Sequence, residues 1–369
     1  MSLSSISQPP PKNNSPPKRS PSESPNLSSR NLTSLASLRE RVQLHADLNL
    51  PDFTYGDEGA LTFKKLDISE DDPEYVGLEI ENPGDPDNKL PFLFSKWSRA
   101  QLLSRLGASE KWFRDVAAST QVEELNTRLH CLEEMKVRTC RGVSEDAFPY
   151  RMVRGMVSKM YTDIPNTSIM EALTEAAKDS YAVRSLSGIT DRAFYAYVVI
   201  DSPLTIPNTS FRALPGVVVR NSEVGYTSLS LTPFMFKEDY GTVAILHKST
   251  LLRKIHRGKV NKMEVLFKDA LVSASRLWAS IDTKLDTLFS TQFADAATAL
   301  HRMAVLLQKA GATKAFVRKC ESTYKQANPT RHSALTVFEA ILASLEHIHE
   351  DDAFDQGTIA GAVLAALVF

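Results

Sequence analysis

The chain has 369 residues, 43% of them hydrophobic and 24% charged, with a formal net charge of -1. That is length enough for two modest domains, or for one large one with a tail, in an ordinary soluble globular protein. Near-neutrality excludes a globally basic nucleic-acid binder, so any electrostatic footprint must be local. Cys131, Cys140 and Cys320 are too few and too scattered for a disulfide framework or a zinc cage. They read as reduced thiols in a cytoplasmic protein, with no metal and no cofactor expected.

Residues 1–33 are rich in Ser, Pro and Asn and offer almost no apolar side chains. Ordering them would cost entropy without burial in return, which predicts a disordered tail. Lys12, Lys18, Arg19 and Arg30 make it mildly basic, able to touch a phosphate backbone or simply solvated. The N-terminus lacks the apolar core of a secretory signal. Residues 34–260 are expected to form an α+β core, and residues 261–369 a helical region packed on or beside it.

Ser34 to Leu48 reads as a short amphipathic helix, and Phe53 to Ile80 as extended segments. Asn82 to Asn88, with two prolines and a glycine, reads as a loop. Three short helices are expected next. One begins near Ser98 and stops at Gly107, one is capped by Ser109, and one runs from Val122 to Met135. Lys136 to Gly142 and Tyr150 to Tyr161 read as strands around a loop at Ser144 to Phe148. Ser168 and Glu171 have capping-box spacing for a helix over Ile169 to Lys178. Val183 to Ile200 returns to strand, and its FYAYVVI run, apolar on both faces, belongs at the centre of a sheet.

Phe211 to Gly258 carries hairpin grammar: a Val217-Val218-Val219 strand, a turn at Arg220 to Glu223 closed by Gly225, and a run in which Leu229 and Leu231 alternate with Ser228 and Ser230. Gly225 sits where the chain reverses, which predicts a positive φ or a close backbone approach. Gly241 turns into a third strand, Thr242 to Leu246. From Met263 to Leu288 apolar residues recur at three- and four-residue spacing, predicting one long helix with Asn261 and Glu264 at its cap. Helices over Asp295 to Ala310, Thr313 to Lys325 and Ser333 to His349 follow. The apolar run Thr358 to Phe369 is twelve residues long. Spanning a bilayer takes about 20, so a buried terminal helix is expected and no membrane association. The sum is an α+β fold with a mixed, mostly antiparallel sheet.

Several motifs line up in one order: the helix from Ala100 to Gly107, with its paired leucines and its Leu-Gly end; Lys136-x-Arg138; Arg154, Ser158 and Tyr161; Ile164, Asn166 and Leu173; Gly216 followed by Asn221-Ser222-Glu223-x-Gly225; and His256-Arg257-Gly258. This resembles the phage/plasmid-like protein family described as domain of unknown function 932, over roughly residues 92–290, with Asn-Ser-Glu-x-Gly as the most specific piece. Two positions depart from the family pattern: Lys159 and Met160 replace an Asp and Arg, and Asp239-Tyr240-Gly241 replaces a Cys-x-Asn-Gly turn. The resemblance implies a mobile-element setting and no particular reaction.

Two basic clusters stand out. Arg138, Arg141, Arg151, Arg154 and Lys159 lie on neighbouring candidate strands, with Tyr161 beside them. Lys248, Arg253, Lys254, Arg257, Lys259 and Lys262, with His247 and His256, fill sixteen residues without one Asp or Glu. If both border one groove, it would attract a phosphate backbone. Tyr161, Tyr195, Tyr197 and Tyr226 would then serve as stacking platforms, or else as core tyrosines behind a solvated rim. Nucleic-acid binding, to single strands or to backbones without strong sequence choice, in replication, recombination or maintenance of a mobile element is the leading expectation, with no recognisable catalytic motif. The alternatives are a hydrolytic or nucleic-acid-processing enzyme using Glu223 and His256, and an interaction or virion-associated protein that oligomerises through its C-terminal helices. The acidic, His-bearing stretch around His347 and His349 reads as a helix terminus, because i, i+2 spacing separates the two imidazoles.

Overall fold

The computed structural model describes residues 33–50, 52–55, 61–66, 75–82, 85–129, 132, 134–141, 151–177, 183–190, 192–200, 202–258, 262–345 and 350–368. The expected tail (all but Thr33), the Ser144 to Phe148 loop, Cys131, Lys259, Asn261, His347 and His349 lie outside them. The fold is α+β, and its strands divide into two curled, mostly antiparallel sheets.

β1 (Thr33–Ser34) leads into α1 (Leu35–Asp47), whose first turn is capped by the Ser34 hydroxyl accepting from the Ser37 N–H at 3.2 Å. β2 (Phe53–Tyr55), β3 (Leu61–Leu66), β4 (Tyr75–Asn82) and β5 (Asp85–Phe94) follow. Then come α2 (Lys96–Arg105), α3 (Glu110–Asp115) and α4 (Ala118–Leu129), and after them β6 (Met135–Cys140) and β7 (Arg151–Ser158). These strands make one sheet in the order β2-β6-β7-β5-β4-β3, with β5 and β7 parallel. Its core holds Leu78, Val137, Val153 and Met156 against Leu102, Leu103 and Leu125 of the helices.

Three expectations are corrected here. Asp85 to Asn88 are not a loop but the start of β5, because β4 and β5 pair, Asn82 facing Asp85. α2 begins before Ser98, since Ser95 supplies the cap and accepts from the Ser98 N–H at 3.1 Å. The third helix stops at Leu129, and Met135 already belongs to a strand that buries every second residue.

α5 (Asn166–Ala177) links to the second sheet: β8 (Val183–Ile189), β9 (Phe194–Ile200), β10 (Leu204–Thr205), β11 (Arg212–Asn221), β12 (Leu229–Lys237), β13 (Thr242–Ile245) and β14 (Leu252–Lys254). Its order is β1-β8-β9-β11-β12-β13, with β10 on β11 and β14 on β12. The Val183 to Ile200 stretch is two paired strands, not one. β9 sits inside the sheet between β8 and β11, buried from Phe194 to Val199. Ala196 and Val198 face the helical core, while Tyr195, Tyr197 and Val199 enter a smaller core on the opposite face.

α6 (Met263–Ser290) buries Phe267, Leu271, Trp278, Ile281, Leu285 and Leu288, and the Trp278 indole donates to the Gly216 carbonyl at 3.1 Å. Its N-cap is Lys262, left-handed at φ 57° and without a side-chain cap. α7 (Ala296–Lys309), α8 (Lys314–Ala327) and α9 (Ala334–Ala343) start at Asp295, Thr313 and Ser333, each side chain accepting from a first-turn N–H. α9 ends well before His349. α10 (Glu350–Val368) lies on β13 so closely that a Cβ on Gly361 would stand 2.0 Å from the Ile245 carbonyl oxygen. Among the described residues no helix is long and apolar enough to cross a membrane. The α5 start also differs from expectation: the helix includes Asn166, so Ser168 lies inside it.

Candidate nucleic-acid interface at the junction of the sheets

The loop between β11 and β12, Ser222 to Ser228, leaves the second sheet and plugs into the first. Val224 is 1% exposed and lies against Gly155 of β7, where a Cβ would come 2.6 Å from the Val224 Cβ. The Val224 carbonyl accepts from the Trp97 indole at 3.2 Å and from Gln101 Nε2 at 2.9 Å. Gln101 Oε1 in turn accepts from the Met156 N–H at 2.9 Å. One side chain of α2 thus ties a strand of one sheet to a loop of the other. Gly225 has φ 76°, as its place after the Asn-Ser-Glu turn predicts, and a Cβ there would stand 2.9 Å from Val157 Cγ1.

Each motif residue has a position in this joint. Fully buried Asn221 donates to the Ile164 carbonyl at 2.9 Å and to Asn166 Oδ1 at 2.8 Å. The Ser222 hydroxyl donates to the Arg192 carbonyl at 2.7 Å and accepts from the Tyr226 N–H at 2.9 Å. Glu223 is 7% exposed; Oε1 accepts from the Asn166 N–H at 2.9 Å, holding the α5 start, and Oε2 faces both Arg154 guanidinium nitrogens at 3.3 Å. Arg154 also donates to Asn49. Arg138 reaches the Glu223 carbonyl, Asp52 at 3.2 Å and Asp163 at 3.0 Å. Burial opposes its charge, but these carboxylates outweigh that and raise its pKa.

The first basic cluster therefore splits. Arg138 and Arg154 turn inward as counter-charges to the loop, and Lys159 pairs with Glu134 at 2.5 Å. Arg141 is exposed at the end of β6 and Arg151 half-buried at the start of β7. In the second cluster Lys248, Arg253, Arg257 and Lys262 are exposed and Lys254 is half-buried. Gly258 has φ 69° with open space around it.

Beside the joint opens a cleft of about 570 Å³. Gln101 and Arg105 come from α2, Ser158 and Tyr161 from the end of β7, Tyr226 to Ser228 from the loop, and Arg253, Ile255, His256 and Arg257 from the segment after β12's partner strand begins. Among the described residues no carboxylate lines it, and no ion pair joins a carboxylate to Arg105, Arg253 or Arg257. Arg253 Nε donates to the Ser228 hydroxyl at 3.3 Å. His256 stacks on Tyr161 with centroids 4.6 Å apart, and its Nδ1 faces the Thr162 carbonyl at 3.1 Å. Burial lowers the His256 pKa and pushes the Tyr161 phenol up. The Tyr161 hydroxyl donates to the Ser222 carbonyl at 2.5 Å.

Of the two roles open to Tyr195 and Tyr197, stacking platform or core residue, the structure shows the second: they are 0% and 1% exposed. Glu223 and His256 do not form an acid–base pair: both Glu223 oxygens are spent on Asn166 and Arg154, and the second carboxylate nearby, Asp163, is bound to Arg138. Among the described residues no cluster of His, Cys, Asp and Glu could hold a metal ion. Sequence reasoning missed Gln101 and Arg105. A glutamine beside the paired leucines of α2 was the one available signal, a polar group on a helix that otherwise buries its face.

No family model, no curated protein and no solved structure matches the chain.

Proposed function

We propose that this protein binds nucleic acid through its phosphates, in the cleft between α2, the end of β7 and the segment Arg253 to Arg257. One observation carries the reading: Arg105, Arg253 and Arg257 converge on a cleft that, among the described residues, has no carboxylate in its lining. Uncompensated guanidinium groups in a concave site select anions, and phosphate oxygens match their fork of donors. A chain of net charge -1 that concentrates in one place arginines without an ion-pair partner among the described residues has the local footprint such binding needs.

The setting we propose is cytoplasmic replication, recombination or maintenance of a phage- or plasmid-type element; it rests on the motif resemblance and not on the cleft. No reaction is proposed, because Glu223 is engaged as a structural counter-charge. The test is a binding panel of single- and double-stranded DNA and RNA at several salt concentrations. Binding should vary little with sequence and weaken steeply as salt rises. Absence of binding to every probe at about 50 mM salt, where counterion release favours association, would refute the reading.

A further inference from the structure

The cleft contains a group that phosphate binding does not use. Ile255 is 55% exposed, one of few large apolar side chains in the described residues left so open. It lies between Arg253 and Arg257 in sequence, and all three line the cleft. Around it exposure alternates, with Arg253, Ile255 and Arg257 outward and His256 inward against Tyr161. Met160, 76% exposed, stands on the adjoining rim: it directly precedes Tyr161, and the next residue, Thr162, donates its N–H to the His256 carbonyl at 3.0 Å.

The aromatic rings nearby are partly engaged. Tyr161 has one face on His256. Tyr226 carries the guanidinium groups of Arg192 and Arg220 at 4.9 and 5.2 Å and the edge of Trp97 at 5.0 Å. Among the described residues that line the cleft, Ile255 is the large apolar side chain left exposed, and in sequence it stands between two of the arginines. A ligand that satisfies this set has anionic groups and an apolar face exposed together. A duplex buries its base faces in the stack and offers mainly phosphates and groove edges; an unpaired strand offers both phosphate and base.

We infer that the cleft selects unpaired nucleotides, with phosphates on Arg253 and Arg257 and a base seated on Ile255, so that the protein distinguishes single strands from duplexes. This rests on the nucleic-acid reading above. The charge of the lining supports nucleic acid over an uncharged apolar partner.

The experiment measures binding of the full chain to a fluorescent oligonucleotide of about 12 residues, within the site sizes of single-strand binders, and to the matching duplex. Wild type is compared with Ile255→Ser and Ile255→Trp. Because the side chain is exposed, both variants should melt like wild type. Ile255→Ser should lose about fivefold or more in single-strand affinity, in line with the loss of one base contact, at an unchanged salt slope and with unchanged duplex affinity. Ile255→Trp should match or exceed wild type on the single strand. Equal losses on both probes, or a loss on neither, would overturn the inference while leaving phosphate binding intact. Displacement of the single strand by polyglutamate as readily as by unlabelled oligonucleotide would also overturn it, marking the cleft as a dock for an acidic protein. A wild type that binds neither probe would sink the underlying reading instead, and this inference with it.

Discussion

A side chain on Gly155 would collide with Val224, the two Cβ atoms standing 2.6 Å apart. The strand of one sheet and the loop of the other thus meet with no room for a methyl group. The Asn221-Ser222-Glu223-Val224-Gly225 stretch is the fastener between the two sheets, and the cleft lies along its edge. Gly155→Ala should destabilise the protein by about 1–3 kcal/mol through overpacking, since backbone is among the crowded atoms. Chemical denaturation measures this; a change under about 0.5 kcal/mol, the ordinary range of a surface substitution, would show that the joint is loose.

Glu223 should be worth more than its size implies. It is the shared acceptor for the α5 start and for Arg154, whose side chain is 11% exposed. Glu223→Gln would leave that guanidinium buried without its counter-charge, a situation that costs about 3–5 kcal/mol in buried pairs. If instead Glu223→Gln folds with wild-type stability and loses a reaction, Glu223 is catalytic and the structural assignment is wrong.

His256 should make part of the stability depend on pH. Burial holds its pKa below the ordinary 6.5. The unfolded chain therefore takes up a proton on this group first as pH falls, so stability is fully present above 6.5 and is lost progressively below it. His45, lowered by burial and then by Arg154, acts in the same direction, whereas Asp52, Glu339 and Asp355, raised chiefly by burial, act oppositely at more acid pH. The His256 share is isolated by subtracting the stability curve of His256→Gln from that of wild type. The difference should fall as pH drops from about 7 to 5, the range over which an ordinary imidazole titrates. A flat difference, or one of opposite slope, would contradict the assignment.

The second sheet and its helices were largely legible in the sequence because their signals are local. The double-sided apolar run Phe194 to Ile200 belongs inside a sheet, and the three- and four-residue spacing from Met263 onward means one long helix; both are so. Gly225 was legible because a reversing turn demands its φ. In the first sheet the strands β6 and β7 and the extended stretch from Phe53 were legible, but their pairing was not, because β5 is parallel to β7 nearly sixty residues later and β2 pairs with β6 about eighty residues on. Such long-range pairing leaves no mark in a short window. The prolines and glycine near Asn82 announced a loop and concealed the strand that begins at Asp85. For the same reason Arg138 and Arg154 read as surface charge. Only the three-dimensional path of the β11–β12 loop brings Glu223 to Arg154 and turns both arginines inward.

The central claim is that Arg253 and Arg257 hold phosphates in the cleft. Its most direct measurement is the salt dependence of oligonucleotide affinity for wild type against Arg253→Gln/Arg257→Gln. The account predicts weaker binding of every sequence, a log–log salt slope smaller by about two units, one per lost phosphate contact, and a melting temperature close to wild type, because exposed charges seldom contribute more than about 1 kcal/mol. A double variant that folds normally and binds with an unchanged slope would contradict it.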